Sequence, residues 1–256
     1  MKSVLEAEVA SFLLAVQFLT RLPVPTANLY TSERMAASVR YYPFVGILVG
    51  GVSALVFISS LSLFPFIIAL LFSIATGLIL TGAFHEDGLA DTFDGIGGGL
   101  TRQKALEIMK DSRLGTYGTV AIVVALALKV AALFSLAPDT VMASLIAGHC
   151  LSRLSSVLVI ATSRYVRDEG TGKPVAGGIS AASLFIAVAS GALVLVGWCF
   201  IQPLMALVWS FMGLLAGHIL MRLFFEPKLG GYTGDTLGAV QQASEIGFYL
   251  GLAAWH

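Results

Sequence analysis

Three aspartates, Asp87, Asp91 and Asp94, stand four and three residues apart in the segment Phe84-His85-Glu86-Asp87-Gly88-Leu89-Ala90-Asp91-Thr92-Phe93-Asp94-Gly95. On a helix this spacing puts them on one face, with neighbouring Cβ atoms about 5 to 6 Å apart. At an effective dielectric of about 20, each neighbouring pair repels by about 2 to 3 kcal/mol. Protonation would relieve the repulsion, and so would a hard divalent cation held by carboxylate oxygens, of which Mg²⁺ is the usual one beside phosphates. A solvated acidic loop is the plainer alternative. Regular spacing, and flanking glycines that permit close approach of a ligand, favour a site.

A second polar stretch follows, from Thr101 to Gly118. It reads as a short amphipathic helix whose Leu106 and Met109 lie against a bundle, while Lys104, Lys110, Asp111 and Arg113 stay available to a polyanionic ligand and its metal. Ordinary surface pairing, such as Lys104 with Glu107, is the bland alternative. Two further stretches carry donors, Arg164 to Pro174 and Gly230 to Gly238. The latter is the stronger, because backbone amides at a helix start attract anions and Thr233, Asp235 and Thr236 would either cap that helix or meet a ligand. Acids beside bases beside glycines form the inventory of metal-assisted phosphoryl transfer.

These residues need a scaffold, and the scaffold is apolar. Only 12% of residues are charged against 57% hydrophobic, where a soluble domain carries roughly 25% charged residues. The chain is therefore expected to be an all-α, polytopic integral membrane helical bundle within a lipid bilayer. Fifteen basic residues balance fifteen acidic ones, so nothing calls for nucleic acid as a partner. Cys150 and Cys199 sit in apolar stretches with no metal-binding spacing around them.

From Tyr41 to Phe84 no Asp, Glu, Lys or Arg occurs in 44 residues, twice the roughly 20 that cross a bilayer as helix. Two spans fit there, turning near Pro65. Thr116 to Leu136 and Thr140 to Ile160 form a second pair around Pro138, and Ile179 to Phe200 and Leu204 to Leu220 a third around Pro203. A polar-interrupted span from Thr236 to Ala254 brings the expectation to about seven transmembrane helices, preceded by an N-terminal interfacial or partly inserted helix. Arg and Lys cluster in alternate loops, which places the acidic segment on the cytoplasmic side. Lys129 is a cation inside a span, and snorkelling, pairing within the bundle or function would each account for it.

The sequence resembles the cobalamin synthase, or adenosylcobinamide-GDP ribazoletransferase, family over nearly its whole length. The resemblance rests on Phe18-Leu19-Thr20-Arg21-Leu22-Pro23-Val24-Pro25, Tyr42-Pro43-Phe44-Val45-Gly46, the His85 to Gly95 run, Glu107 to Gly118, Gly148-His149 with Ser152-Arg153, and Gly231 to Gln242. Gly82-Ala83 and Glu86 depart mildly from the family pattern, and Glu86 adds a carboxylate without an assigned role. The resemblance implies one transferase domain over residues 1–256 that joins adenosylcobinamide-GDP to α-ribazole or its 5′-phosphate and releases GMP. It implies Mg²⁺ held by Asp87, Asp91, Asp94 and Asp111, one of which takes a proton from the attacking ribazole 5′-hydroxyl. Substrate and its phosphates would meet His85, Lys104, Lys110, Arg113, Thr233 and Asp235. The setting would be the inner membrane of a prokaryote, the site facing the cytoplasm, and glycine-rich helices leave a homo-oligomer open.

Two rival readings are weaker. A CDP-alcohol phosphotransferase would share Asp91-Thr92-Phe93-Asp94-Gly95, but Gly98-Gly99 and the lack of the later spaced aspartates break that pattern. A transporter would use Lys129 and Glu245 near the bilayer midplane and show an internal repeat, and no convincing repeat is found.

Overall fold

The computed structural model describes residues 2–25, 28–167 and 173–255. Residues 168–172, part of the Arg164 to Pro174 stretch, lie outside the described residues. The described chain is an all-helical bundle: α1 (Lys2–Leu19), α2 (Ser32–Ser38), α3 (Tyr42–Leu61), α4 (Phe66–Thr81), α5 (Phe84–Gly98), α6 (Arg102–Ile108), α7 (Thr116–Phe134), α8 (Pro138–Thr162), α9 (Ala181–Cys199), α10 (Leu204–Leu229) and α11 (Gly234–Trp255). Proline starts the return leg of each expected hairpin: Pro65 caps α4, Pro138 opens α8 and Pro203 caps α10.

Among the described residues, five helices are long and apolar enough to cross a membrane: α3 (with α2), α7, α8, α9 and α10. The other two expected spans depart from that pattern. α4 reaches the criterion only together with α5, from which it is bent by 83°. The acidic segment therefore does not continue the second span. The chain breaks at Gly82 (φ 65°) and Ala83 (φ 55°), both left-handed, and α5 leaves almost at a right angle. The Arg21 side chain lies over the break, so that a Cβ added at Gly82 would stand 2.3 Å from its Nε. α11, with 22 residues, is long enough to span, but Gln241, Gln242 and Glu245 keep it from being apolar. It is shielded instead, packed by α10, α5, α8 and α7.

α1 packs along α2 and α3, its Glu8 3.3 Å from Arg40. Two apolar clusters form the core. One, with Leu19, Leu89, Met109, Val157, Leu229 and Tyr232, lies at the end where α5, α6, the end of α8 and the start of α11 meet. The other, with Phe57, Leu70, Leu133, Val141, Trp198 and Leu252, lies toward the proline hairpins. Between them sits a polar stratum of Glu86, Lys129, His149, Gln242 and Glu245.

Candidate functional site

The site end is assembled by close backbone contacts. A Cβ added at Gly88 would stand 2.6 Å from the Asp235 carbonyl oxygen, and one at Gly238 would stand 3.1 Å from the His85 carbonyl oxygen. Only glycine lets α5 and α11 approach this closely, and the approach turns the α5 carboxylates toward Asp235. Asp87 is exposed and Asp91 half-buried. The Asp91 carboxyl is pushed up to about 7, first by its burial, then by the charges of Asp235 and Asp87, with Arg167 pulling the other way. Arg167 pairs with Asp235 at 2.7 Å.

The α11 start is capped by a reciprocal pair. Thr236 N donates to Thr233 Oγ1 at 3.2 Å and Thr233 N to Thr236 Oγ1 at 2.8 Å. Thr233 is fully buried and acts as the cap, while the Asp235 carboxylate faces α5 and Arg167. A short parallel bridge between Tyr165 and Tyr232 docks the end of α8 on the chain before α11, and so carries Arg167 to the site.

Asp94 occupies a different niche. Its Oδ2 accepts from Gly115 N at 2.7 Å and its Oδ1 from Gly118 N at 2.8 Å, so it caps the start of α7. A Cβ at either glycine would lie 2.4 Å from its oxygens. Asp111 is bound by Arg113, with Nη2 2.6 Å from Oδ2; these hydrogen bonds hold its carboxyl down at about 2. α6 forms as expected, Thr101 Oγ1 accepting from Lys104 N at 3.2 Å, with Met109 buried and Leu106 partly so. Lys104 pairs with Glu107 at 3.1 Å, and Lys110 and Arg113 are exposed. His85 is buried, its ring turned inward beside Arg153 and away from the exposed face.

The structure thus brings Asp87, Asp91 and Asp235 together with Arg167, a residue the motif reading passed over although it lies in the donor-rich stretch after α8. Asp94 and Asp111 are engaged elsewhere. Among the described residues, no three His, Cys, Asp or Glu side chains are gathered tightly enough to hold a metal ion. Behind α5, Lys129 pairs with Glu245 at 2.9 Å, donates to Gln242 Oε1 at 3.0 Å and lies 4.0 Å from Glu86. Pairing within the bundle therefore accounts for this cation.

A model of the cobalamin-5-phosphate synthase family matches residues 11–253. Curated relatives described as adenosylcobinamide-GDP ribazoletransferases include one from Shewanella woodyi, 42% identical over 252 residues and covering 96% of each chain. One from Shewanella frigidimarina is 44% identical over 248 residues, covering 95% of this chain and 94% of the relative. One from Leptothrix cholodnii is 43% identical over 253 residues, covering 96% of each. No solved structure matches.

Proposed function

This chain belongs to the cobalamin-5-phosphate synthase family, and on that premise we propose that it joins adenosylcobinamide-GDP to α-ribazole, or to α-ribazole 5′-phosphate, with release of GMP. The names of its relatives support the substrate pair. The observation that carries the reading is the convergence of Asp87 and Asp91 on Asp235 and Arg167 across the glycine contact of α5 and α11.

In the proposed reaction a ribose hydroxyl attacks the phosphorus bonded to the cobinamide arm, the bond from that phosphorus to the bridging oxygen breaks, and GMP leaves. The 5′-hydroxyl expectation is corrected by the second acceptor: in the 5′-phosphate that oxygen is already esterified, so one site serving both riboside forms uses another ribose hydroxyl. Asp91, sheltered between Asp87 and Asp235, is assigned as acceptor of the hydroxyl proton. Arg167, with Lys104, Lys110 and Arg113 from α6 and its following loop, would meet the phosphates. Buried His85 is not among these contacts.

Mg²⁺ is part of the proposal. The carboxylates of Asp87, Asp91 and Asp235 are hard oxygen donors of the kind such a cation takes, and they would have to draw closer together than they stand here to hold it. When bound, it would neutralise charge on the transferring phosphoryl group and on GMP. Asp94 contributes by fixing the start of α7 instead of ligating. The basic loops at this end support placing it at the cytoplasmic face of a prokaryotic inner membrane.

The test is GMP release by the purified chain in detergent or lipid, with and without Mg²⁺, for wild type and Asp91→Asn. Metal-dependent release that is lost in the folded variant is the expected result. No release by folded wild type with any divalent metal would overturn the reading.

A further inference from the structure

Helix α5 begins without the usual devices that aim a helix. Its N-cap is Ala83, in the left-handed region and making no side-chain cap, and the 83° bend removes any guidance from α4. Successive residues of a helix are turned by about 100°, so a modest roll of α5 would carry Asp87 and Asp91 off the face opposite Asp235. The glycine contact at Gly88 sets how near α5 lies to α11, but a residue without a side chain does little to set roll.

Toward its other end Asp94 ties α5 to the start of α7, and Glu86 supplies the corresponding tie at the first turn. It is 8% exposed, and its Oε1 accepts from Gln242 Nε2 at 2.8 Å. Gln242 is itself fixed: it donates to Gln241 Oε1 at 2.7 Å, and its Oε1 accepts from Lys129 at 3.0 Å. Lys129 pairs with Glu245, which accepts from Gln241 Nε2 at 2.6 Å and from the Tyr249 hydroxyl at 3.2 Å and lies 3.3 Å from His149 Nδ1. One carboxylate oxygen of α5 is thereby tied to a lattice of α7, α8 and α11 side chains. A buried ion pair is weak evidence for stability, since apolar residues of similar volume often hold a fold equally well. Its directional hydrogen bonds, which an apolar side chain does not offer, are the feature that suits a role in aiming.

We infer that Glu86 is a positioning residue, which sets the roll of the first turns of α5 through its hydrogen bond from Gln242, as Asp94 holds the far end on α7, and so aims Asp87 and Asp91 at Asp235. This rests on the proposed reaction only in taking those carboxylates as its site. The remaining oxygen, Oε2, has no hydrogen-bond partner among the described residues and belongs to a residue lining a cavity of about 20 Å³, room for about one water molecule.

Glu86→Gln keeps an oxygen that can accept from Gln242, while Glu86→Ala removes it; both remove a charge from the buried cluster and lower the unfolding temperature. In the full chain with saturating Mg²⁺, Glu86→Gln is expected to keep kcat for GMP release within about threefold of wild type. Glu86→Ala is expected to lose at least tenfold in kcat with a smaller change in KM. A second measurement needs neither metal nor turnover. With Cys150 and Cys199 replaced by serine, an Asp91→Cys, Asp235→Cys pair is oxidised, and its cross-linking rate should fall in the Glu86→Ala background and recover in Glu86→Gln. Equal kcat losses in the two variants, or cross-linking unchanged by Glu86→Ala, would overturn the inference. If Glu86→Ala does not fold, Glu86→Asp, which draws the carboxylate back by one methylene, replaces it with the same criteria. No GMP release by folded wild type, together with the expected Glu86 dependence of cross-linking in the cysteine-pair protein, would sink the proposed function alone.

Discussion

Asp91 and Asp94 are three residues apart on one helix and do different work. Asp91 lies among like charges with a carboxyl pushed up to about 7. Because that value is raised, the metal-free folded state holds its proton more tightly than the unfolded state, and folding stability falls as pH rises from about 4 to about 7. Thermal unfolding without divalent metal should show this slope, and Asp91→Asn should flatten it; an unchanged slope would mean that Asp91 is not the group titrating. Asp94, by contrast, satisfies two amides at the start of α7. Asp94→Ala should cost about 1 kcal/mol, and up to about 2, with Asp94→Asn milder because it keeps one acceptor. Denaturant titration in mixed micelles reads the difference. The spacing of the aspartates was legible in the sequence. Their separate roles were not, because the partners that divide them, Gly115, Gly118, Arg167 and Asp235, come from other helices and loops.

Among the elements, the α4–α5 break was the main departure from expectation. The apolar run continues unbroken to Phe84, and hydropathy carries no information on direction. The local signal was Gly82, whose neighbour Ala83 shares the left-handed backbone without being glycine. Ala83→Gly should therefore be neutral or stabilising by up to about 1 kcal/mol, because a left-handed L-residue carries a penalty of roughly that size. At Gly88 the reverse holds. Gly88→Ala puts a methyl 2.6 Å from the Asp235 carbonyl and must part α5 from α11. The expected result is a folded protein with at least tenfold less GMP release, and wild-type release would show that the close approach is dispensable. The hairpins and α6 were legible, since prolines and a Thr101 cap act locally.

At the scale of the whole molecule, hydropathy found the helices that face lipid and undervalued the one that does not. α11 carries its polar residues inward, where α5, α7 and α8 meet them, so its sequence looks too polar to span although none of that polarity reaches hydrocarbon. Lys129 inside a span was visible, but its partner Glu245 lies 116 residues away in sequence. Removing one member strands the other: Lys129→Met should cost about 3 to 5 kcal/mol, and adding Glu245→Gln should recover much of that loss. Unfolding midpoints of the two single variants and the double variant decide it, and strict additivity would contradict the pairing.

The polar stratum between the two apolar clusters has a consequence for how such a bundle keeps its shape in lipid. Apolar helices surrounded by hydrocarbon have little to stop them sliding along one another, because lipid tails are as apolar as the side chains they replace. A level of matched donors and acceptors breaks that indifference. Sliding α11 by one turn, about 5.4 Å, would carry Glu245 away from Lys129 and leave both charges unmatched inside the bundle. The layer acts as a depth stop, like a polar residue that locks the alignment of a coiled coil.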